Sequence, residues 1–185
     1  MKVYLIADTH FNHANIATYC QRPEDFTDIL LRNLRKTLTV EDTLIHLGDV
    51  FIGRRPPWLG DWPGRKILIR GNHDRQHSNT WWMEHGFDFA CDGMAFRNCW
   101  LSHEPRPNLP IGELNIHGHL HNIWSGFNYE GKDVINVATG KPFGLPTQLD
   151  NPWQRLFAVE YTNYMPVEFD KFVSHPDKYQ AKGPK

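Results

Sequence analysis

The stretch that decides the fold is Lys66-Ile67-Leu68-Ile69-Arg70-Gly71-Asn72-His73-Asp74. It opens with a short apolar run containing isoleucine, which is typical of a buried strand, and it closes on glycine and polar residues. Two earlier stretches, residues 3–8 and 43–49, have the same form, and each ends in an aspartate. Three short apolar strands, each followed at once by polar residues, therefore organise the first half of the chain.

The clearest helical pattern lies between the first two of these strands. Phe26, Leu30, Leu34 and Leu38 recur at every fourth residue, which predicts a helix over residues 25–38 with one buried face. Two shorter helices are predicted over residues 14–19 and 79–85. An order of strand, helix, strand, loop and strand favours an α/β fold with parallel strands.

The second half of the chain reads mostly as strand. Six more strands are predicted, at residues 93–96, 99–102, 114–117, 134–138, 156–161 and 166–169. Turn-forming residues at Asp92-Gly93 and Arg97-Asn98 predict antiparallel hairpins. Two segments rich in glycine and proline, residues 53–64 and 139–152, are predicted to be irregular surface loops.

Length and composition limit the class of protein. A chain of 185 residues fits one domain, which we expect over residues 1–172, followed by a polar tail over 173–185. The formal net charge of −1 disfavours a strongly basic nucleic-acid binder. The three cysteines are odd in number and never spaced as CxxC, which argues against a disulfide framework. With no long apolar run or signal peptide, we expect a cytoplasmic protein without a membrane span.

Polar side chains gather where the predicted strands end. Five different predicted strands are each followed by one or two such residues. In chain order these are Asp8 with His10, then Asp49, then Asn72 with His73, then His103, and finally His119 with His121. The carboxyl ends of parallel strands lie along one edge of a sheet, where ligands bind. Imidazole and carboxylate groups together suit manganese, iron, zinc or nickel. Since a carboxylate can bridge two cations, the pattern favours a site for two ions about 3.5–4 Å apart.

These residues resemble the signature of the calcineurin-like metallophosphoesterase superfamily. That signature runs DxH, GD, GNH followed by an acid, a single His, and GHxH, and all five parts stand in this order between residues 8 and 121. Residues 8–16 are also similar to a small bacterial and phage subgroup of the superfamily. The resemblance implies an α/β fold of four layers, arranged α/β/β/α.

The resemblance also implies roles for the motif residues. Two sets of three would each hold one ion: Asp8, His10 and His121 for the first, and Asn72, His103 and His119 for the second. Asp49 would bridge the two ions. His73 would not be a ligand but would lie near the leaving group as a general acid. Manganese is the favoured metal, with iron, zinc, nickel and cobalt as alternatives.

The implied function is hydrolysis of a phosphate ester, either a small phosphodiester or a nucleotide, by in-line attack of a metal-bridging hydroxide. Two alternatives remain open, a nuclease acting on DNA or RNA and a non-catalytic scaffold of the same fold. The absence of excess positive charge disfavours the nuclease. The complete set of seven ligands disfavours the scaffold.

The sequence departs from the serine/threonine phosphatases of this superfamily at two positions. Ile52 and Gly53 stand where those enzymes carry an aspartate and an arginine, so a protein phosphatase of that branch is disfavoured. The missing aspartate leaves open which group orients His73. Candidate substrate-binding residues flank the motifs, namely His13, Arg54, Arg55 and Asp74. Guanidinium groups suit phosphate recognition, but His13 could equally be a surface helix residue and the two arginines could belong to a solvated loop.

Overall fold

The computed structural model of the chain describes residues 1–122, 127–130, 133–136, 142–144, 153–175 and 178–179; the three short segments between 127 and 144 are described by their backbone alone. No helix in this part of the chain has the length and apolar character needed to cross a membrane.

The first sheet carries the first three polar motifs. Its strands are β1 (Val3–Ile6), β2 (Thr43–His46), β3 (Arg65–Ile69), β4 (Phe89–Cys91) and β12 (Val167–Glu168). They are ordered β12-β1-β2-β3-β4, and all neighbours are parallel except β12 and β1. Because β1, β2 and β3 are parallel neighbours, the residues that follow them meet at one edge of the sheet.

Within the described residues, four α-helices and two 3₁₀ helices accompany the sheets. They are α1 (Ala14–Tyr19), α2 (Phe26–Thr37), α3 (Asn79–Glu84), α4 (Phe169–Ser174) and the 3₁₀ helices Asp74–Gln76 and Val159–Thr162. Helix α2 confirms the repeat predicted from the sequence, since it buries Phe26, Leu30 and Leu34. Full burial of such side chains stabilises the fold by about 1.5–3 kcal/mol each. Helix α3 begins after Ser78, whose hydroxyl accepts a hydrogen bond from the Trp81 N–H (3.1 Å).

The second sheet carries the remaining motifs. Its strands are β5 (Met94–Phe96), β6 (Cys99–Leu101), β7 (Leu114–His117) and β11 (Gln154–Leu156). They are ordered β11-β7-β6-β5, with β5 and β6 antiparallel and the other neighbours parallel. A separate antiparallel sheet contains β8 (Phe127–Glu130), β9 (Asp133–Asn136) and β10 (Pro142–Gly144) in the order β10-β9-β8.

Both mixed sheets contribute to one buried core. Leu5, Ile45 and Leu68 of the first sheet belong to the same hydrophobic cluster as Leu101 and Ile116 of the second. The shared core holds the ends of β1, β2 and β3 against the ends of β6 and β7. The α/β class predicted from the sequence is thus confirmed, with two mixed sheets.

Several predicted elements in the second half were wrong. The strand predicted over residues 156–161 ends at Leu156, and a 3₁₀ helix follows at Val159–Thr162, in which the Glu160 side chain is only 5% exposed. The turn at Asp92-Gly93 makes no hairpin, since β4 and β5 belong to different sheets. The turn at Arg97-Asn98 does connect an antiparallel pair.

Two predicted boundaries near the C-terminus also differ, and only one of the two predicted loops is described in full. The strand predicted over 166–169 is only two residues long, and helix α4 follows it and continues to Ser174, beyond the point where the tail was expected to begin. Phe172 is buried and stacks on Tyr179 (5.9 Å between ring centroids). The loop predicted over 53–64 is irregular but buries Leu59 and Trp62. Most of the loop predicted over 139–152 lies outside the described residues, although β10 falls within it.

Candidate metal centre

The predicted ligands lie directly after strands β1, β2, β3, β6 and β7, and most of them have unusual backbone geometry. Five have positive φ: Asp8 (51°), His10 (46°), Asp49 (57°), His119 (71°) and His121 (50°). A left-handed backbone costs a residue with a side chain roughly 1–2 kcal/mol. Strain of this kind is concentrated at functional positions, where the surrounding structure enforces it.

The first group of ligands meets at the ends of β1 and β7. Nε2 of His10 lies 3.2 Å from Nε2 of His121 and 3.9 Å from Oδ1 of Asp8. Nε2 of His121 lies 3.7 Å from the same Asp8 oxygen. One ligand atom from each of the three residues therefore points at a common centre.

The second group meets at the ends of β3, β6 and β7. Nε2 of His103 lies 3.0 Å from Oδ1 of Asn72 and 3.1 Å from Nδ1 of His119. The Asn72 oxygen and the His119 nitrogen are themselves 3.1 Å apart. Nδ1 of His103 is hydrogen-bonded to the carbonyl of Leu47 (2.8 Å). If Nδ1 donates that bond, Nε2 keeps its lone pair for the centre of the group.

Asp49 joins the two groups through one oxygen. Its Oδ2 lies 3.6 Å from Nε2 of His10 in the first group and 3.4 Å from Nε2 of His103 in the second. Asp49 is almost fully buried. A single carboxylate oxygen between two sets of nitrogen and oxygen ligands is the arrangement that a bridged pair of cations requires.

Charge within the cluster fits cation binding. Burial raises the pKa of Asp8 to about 6. Burial also opposes ionisation of Asp49, but the hydrogen bond and charge of His103 outweigh it and hold the Asp49 pKa below its usual value. The pKa of His103 is in turn raised to about 9, because the bond to Asp49 and the charges of Asp8 and Asp49 outweigh burial. Because metal ligands must be deprotonated, a divalent cation that binds these carboxylates and imidazoles would compete with protons.

Glycines allow the motif loops to approach each other. Gly48 has φ of 97°, and a Cβ atom there would lie only 2.6 Å from both the Gly71 nitrogen and Nδ1 of His103. At Gly71, a Cβ atom would collide with the carboxylate of Asp49. The glycines of the GD and GNH motifs are therefore required by close approach of the two loops that position the bridge.

His73 lies beside the two groups without joining either. Its backbone N–H donates to Oδ1 of Asp49 (3.0 Å), and its Nε2 lies 3.9 Å from Oδ2 of the same residue. Its ring packs edge-on against His10, with 5.5 Å between centroids. The side chain is 45% exposed, so it is accessible to a molecule that approaches from solvent.

The predicted substrate-binding residues differ in position. His13 lies next to the centre, with its ring edge-on to His10 at 5.6 Å between centroids. Arg54 and Arg55 are exposed, and no hydrogen bond or ion pair links either guanidinium to a ligand residue in the described part of the chain. The Arg54 carbonyl instead accepts a hydrogen bond from the side chain of Asn12 (3.1 Å).

Asp74 does not fit its prediction as a substrate-binding residue. Its side chain is fully buried, and its two oxygens accept hydrogen bonds from the backbone N–H groups of Asp49 (2.6 Å), Val50 (3.0 Å) and Gly71 (2.8 Å). These bonds use the carboxylate to hold the GD and GNH loops together. Asp74 therefore holds the Asp49 loop in place from the protein interior and is not accessible to a substrate.

His46 holds the DTH and GD loops together from the interior. Its Nδ1 accepts a hydrogen bond from the Gly48 N–H (3.1 Å), and its Nε2 contacts the Thr9 hydroxyl (2.9 Å). That hydroxyl in turn donates to the Val50 carbonyl (2.8 Å). Burial lowers the pKa of His46 to about 3 and keeps the ring neutral, as these contacts require.

Sequence reasoning missed a buried ion pair behind the first group. The side chains of Arg22 and Glu160 are 0% and 5% exposed, and Nη2 of Arg22 lies 2.6 Å from Oε1 of Glu160. Arg22 also donates to the backbone carbonyls of Asp8 and Thr9. The two residues are 138 positions apart and share no motif, so no spacing in the sequence signals the pair.

Comparison with known proteins agrees with this geometry. The model of the calcineurin-like phosphoesterase family matches residues 1–180. The chain belongs to this family. Its two mixed sheets are consistent with the metallo-dependent phosphatase fold, and its His and Asp clusters are candidate metal sites typical of the family's dimetal centres.

Three individual proteins are similar to this chain over all or part of its length. The uncharacterized protein MJ1445 of Methanocaldococcus jannaschii is 30% identical over 191 residues, covering 96% of this chain and 92% of that protein. The crystal structure of a protein of unknown function from Aquifex aeolicus, AQ665, has a TM-score of 0.65 and 26% identity, covering 94% of this chain and 98% of that one. A Pseudomonas putida nuclease, MPE, has a TM-score of 0.45 and 26% identity, covering 64% and 60% of the two chains.

Proposed function

We propose that this protein is a dinuclear metal-dependent phosphoesterase that hydrolyses a small phosphodiester or a nucleotide. The observation that carries the proposal is the position of Asp49, whose Oδ2 lies between Nε2 of His10 and Nε2 of His103 at 3.6 and 3.4 Å. Burial of a carboxylate costs desolvation free energy and so does little for the stability of the fold. A carboxylate shared by two complete ligand groups is better explained by the binding of two cations.

The ligand groups divide between two ions. Asp8, His10 and His121 would hold the first, while Asn72, His103 and His119 would hold the second, with Asp49 common to both. Mixed nitrogen and oxygen ligands favour manganese, with iron, zinc, nickel and cobalt as alternatives. When bound, the ions would supply water activation and neutralise charge on the phosphate.

His73 provides the proton chemistry in this proposal. Its backbone hydrogen bond to Asp49 holds it beside the proposed bridging residue, and its imidazole is 45% exposed and therefore accessible to a substrate. From there it can donate a proton to the departing oxygen of the ester. The neighbouring Asp74 carboxylate does not orient the His73 ring, because both of its oxygens accept hydrogen bonds from backbone N–H groups.

Exposure of the rim supports a small or terminal phosphate ester as substrate. Asn72 and His73 are exposed and His119 is half-buried, whereas Asp8, His10 and His103 are buried. A phosphate group can thus reach the centre from solvent at the side of the second group. His13, whose ring centroid lies 5.6 Å from that of His10, would contact the remainder of the substrate.

Hydrolysis of bis(p-nitrophenyl) phosphate and p-nitrophenyl phosphate by the purified full chain tests the proposal. We expect the diester to be cleaved with manganese, activity to stop with chelator, and metal to restore it. The Asp49→Ala variant is the matched negative control. Absence of hydrolysis with manganese, iron, zinc, nickel and cobalt, on these esters and on a panel of nucleotides and cyclic nucleotides, would contradict the proposal. Cleavage of DNA or RNA alone, with binding that weakens steeply as salt rises, would instead identify a nuclease.

A further inference from the structure

The buried Arg22–Glu160 pair contacts two residues of the first ligand group, Asp8 and His121, and also Thr9, which precedes the third. Nη2 of Arg22 donates to the carbonyl of Asp8 (2.7 Å), and Nη1 donates to the carbonyl of Thr9 (3.1 Å), between Asp8 and His10. Oε1 of Glu160 lies 3.4 Å from Nδ1 of His121. In the second ligand group, Nδ1 of His103 contacts the backbone carbonyl of Leu47 instead of a carboxylate.

We propose that Glu160, held by Arg22, is a positioning residue that fixes His121 and thereby sets the metal affinity of the first site. This inference deepens the proposed function, on which it rests. It gives a role to Arg22 and Glu160, which lie behind the first site and belong to none of the sequence motifs. Glu160 reaches the metal only through His121, so it is not itself a ligand.

The tautomer of His121 is the first step of the argument. Its Nε2 faces Asp8 and His10, so this nitrogen needs a free lone pair in order to bind a cation. The proton must then reside on Nδ1, which faces Oε1 of Glu160. A carboxylate that accepts the second N–H of a ligand histidine fixes the ring orientation and increases its basicity.

Arg22 makes a charged Glu160 tolerable in this place. The side chains of Arg22 and Glu160 are 0% and 5% exposed, and a buried carboxylate is tolerated when a guanidinium is paired with it. Nε and Nη2 of Arg22 both donate to Oε1, at 2.8 and 2.6 Å. Oε1 therefore accepts from Arg22 while it faces His121, and the remaining Arg22 donors fasten the backbone of Asp8 and Thr9.

Arg22 also excludes a different use of the same residues. Cys20, His121 and Glu160 each place a ligand atom within 4.8 Å of the others, as a third metal site would require. Nη2 of Arg22, however, lies 3.3 Å from Nδ1 of His121 and 2.6 Å from Oε1 of Glu160. The guanidinium already supplies the positive charge there, and a second cation would be repelled.

A pair whose role is only to stabilise the fold would affect both metal sites alike. The two sites can be separated with the ligand variants themselves. His119→Ala removes a ligand of the second site alone and leaves the first for titration, whereas His10→Ala leaves the second. Mn²⁺ is titrated into each metal-free protein by calorimetry, with and without Glu160→Gln. Gln is the closest neutral match to Glu in shape.

We expect Glu160→Gln to weaken Mn²⁺ binding about 10–100-fold in the His119→Ala protein, and to leave binding unchanged in the His10→Ala protein. Glu113→Gln is the matched control, because it neutralises the acid of another Arg–Glu pair, with Arg106, that lies on the surface. Equal losses at both sites, or no loss at the first site, would overturn the proposal.

Glu160→Asp answers the question if the neutral variant fails to fold. It keeps the charge that Arg22 requires but withdraws the carboxylate from His121 by one methylene, so the first site must still lose affinity. Unchanged affinity in this variant overturns the proposal. The titration contains no substrate. A wild-type protein that binds two Mn²⁺ ions and cleaves no ester would therefore refute the proposed function alone.

Discussion

The backbone N–H of His73 donates a 3.0 Å hydrogen bond to Oδ1 of Asp49, the residue whose other oxygen joins the two ligand groups. The candidate proton donor and the candidate bridge are therefore fixed to each other by the main chain. The His73 side chain is left free to act on a substrate. Separate variants of these two residues should accordingly give different defects.

Asp49→Ala should weaken both metals, whereas His10→Ala should chiefly weaken one. The reason is that Oδ2 of Asp49 contacts both ligand groups, while His10 belongs to the first. Elemental analysis of the two purified variants after identical manganese loading measures the difference. Full occupancy of both sites in Asp49→Ala would refute the bridge.

His73→Gln should retain both metals and lose turnover by about 10²–10⁴-fold. The loss should be smaller for a nitrophenyl ester, whose leaving group departs without a proton, than for an alkyl or ribose ester. Comparing both esters in the wild type and the variant isolates the effect, and His175→Gln is a control at a distant exposed histidine. An equal loss on both esters with metals bound would show that His73 positions phosphate instead.

Gly71→Ala should displace Asp49 and weaken both metals, because the added methyl group collides with the Asp49 carboxylate. Overpacking of this kind destabilises a fold by about 1–3 kcal/mol. Urea unfolding of the metal-free protein and manganese titration measure the two effects. Gly112→Ala is the control for manganese binding, which it should leave intact, since a methyl group there meets no atom within 4 Å. Its φ of 86° is unfavourable for alanine, so this variant should lose stability without losing metal.

Asp42→Asn should reduce stability by about 1–3 kcal/mol at neutral pH. The Asp42 carboxylate accepts hydrogen bonds from the backbone of Lys2 (2.7 Å) and from the backbone and hydroxyl of Thr39 (3.0 and 2.8 Å). The Lys2 bond, followed by the Thr39 hydroxyl, lowers the pKa of Asp42.

The pH dependence of that effect has a definite sign. Because the folded pKa lies below the unfolded value of about 3.9, the stabilisation is fully present above that value and is lost as pH falls through the folded pKa. The gap in unfolding free energy between wild type and Asp42→Asn should therefore begin to narrow below about pH 4 and continue to narrow as the pH falls through the folded pKa. Asp25→Asn, at an exposed residue whose side chain caps no N–H, should show no such gap. A gap that stays constant down to pH 3 would contradict the assignment.

Local patterns in the sequence were enough to predict the order of the motifs and the strands that carry them. Short apolar runs that end in Asp8, Asp49 and Asn72 predicted parallel neighbours in an α/β fold, and the convergence of these residues at one sheet edge follows from that arrangement. Helix α2 was also predictable from the sequence, since a helix that buries one face has apolar residues at every third or fourth position. Local pattern was enough for these features because each depends on residues close together in the chain.

Contacts between residues that are far apart in the sequence could be read only from the folded chain. Asp74 looked like a neighbour of substrate, but packing turned its carboxylate onto three backbone amides. Glu160 was expected in a strand, yet it turns inward in a 3₁₀ helix to meet Arg22, 138 residues away. A buried ion pair leaves no periodicity in a sequence, because each charge is tolerated only when its partner, brought by the rest of the fold, is in place.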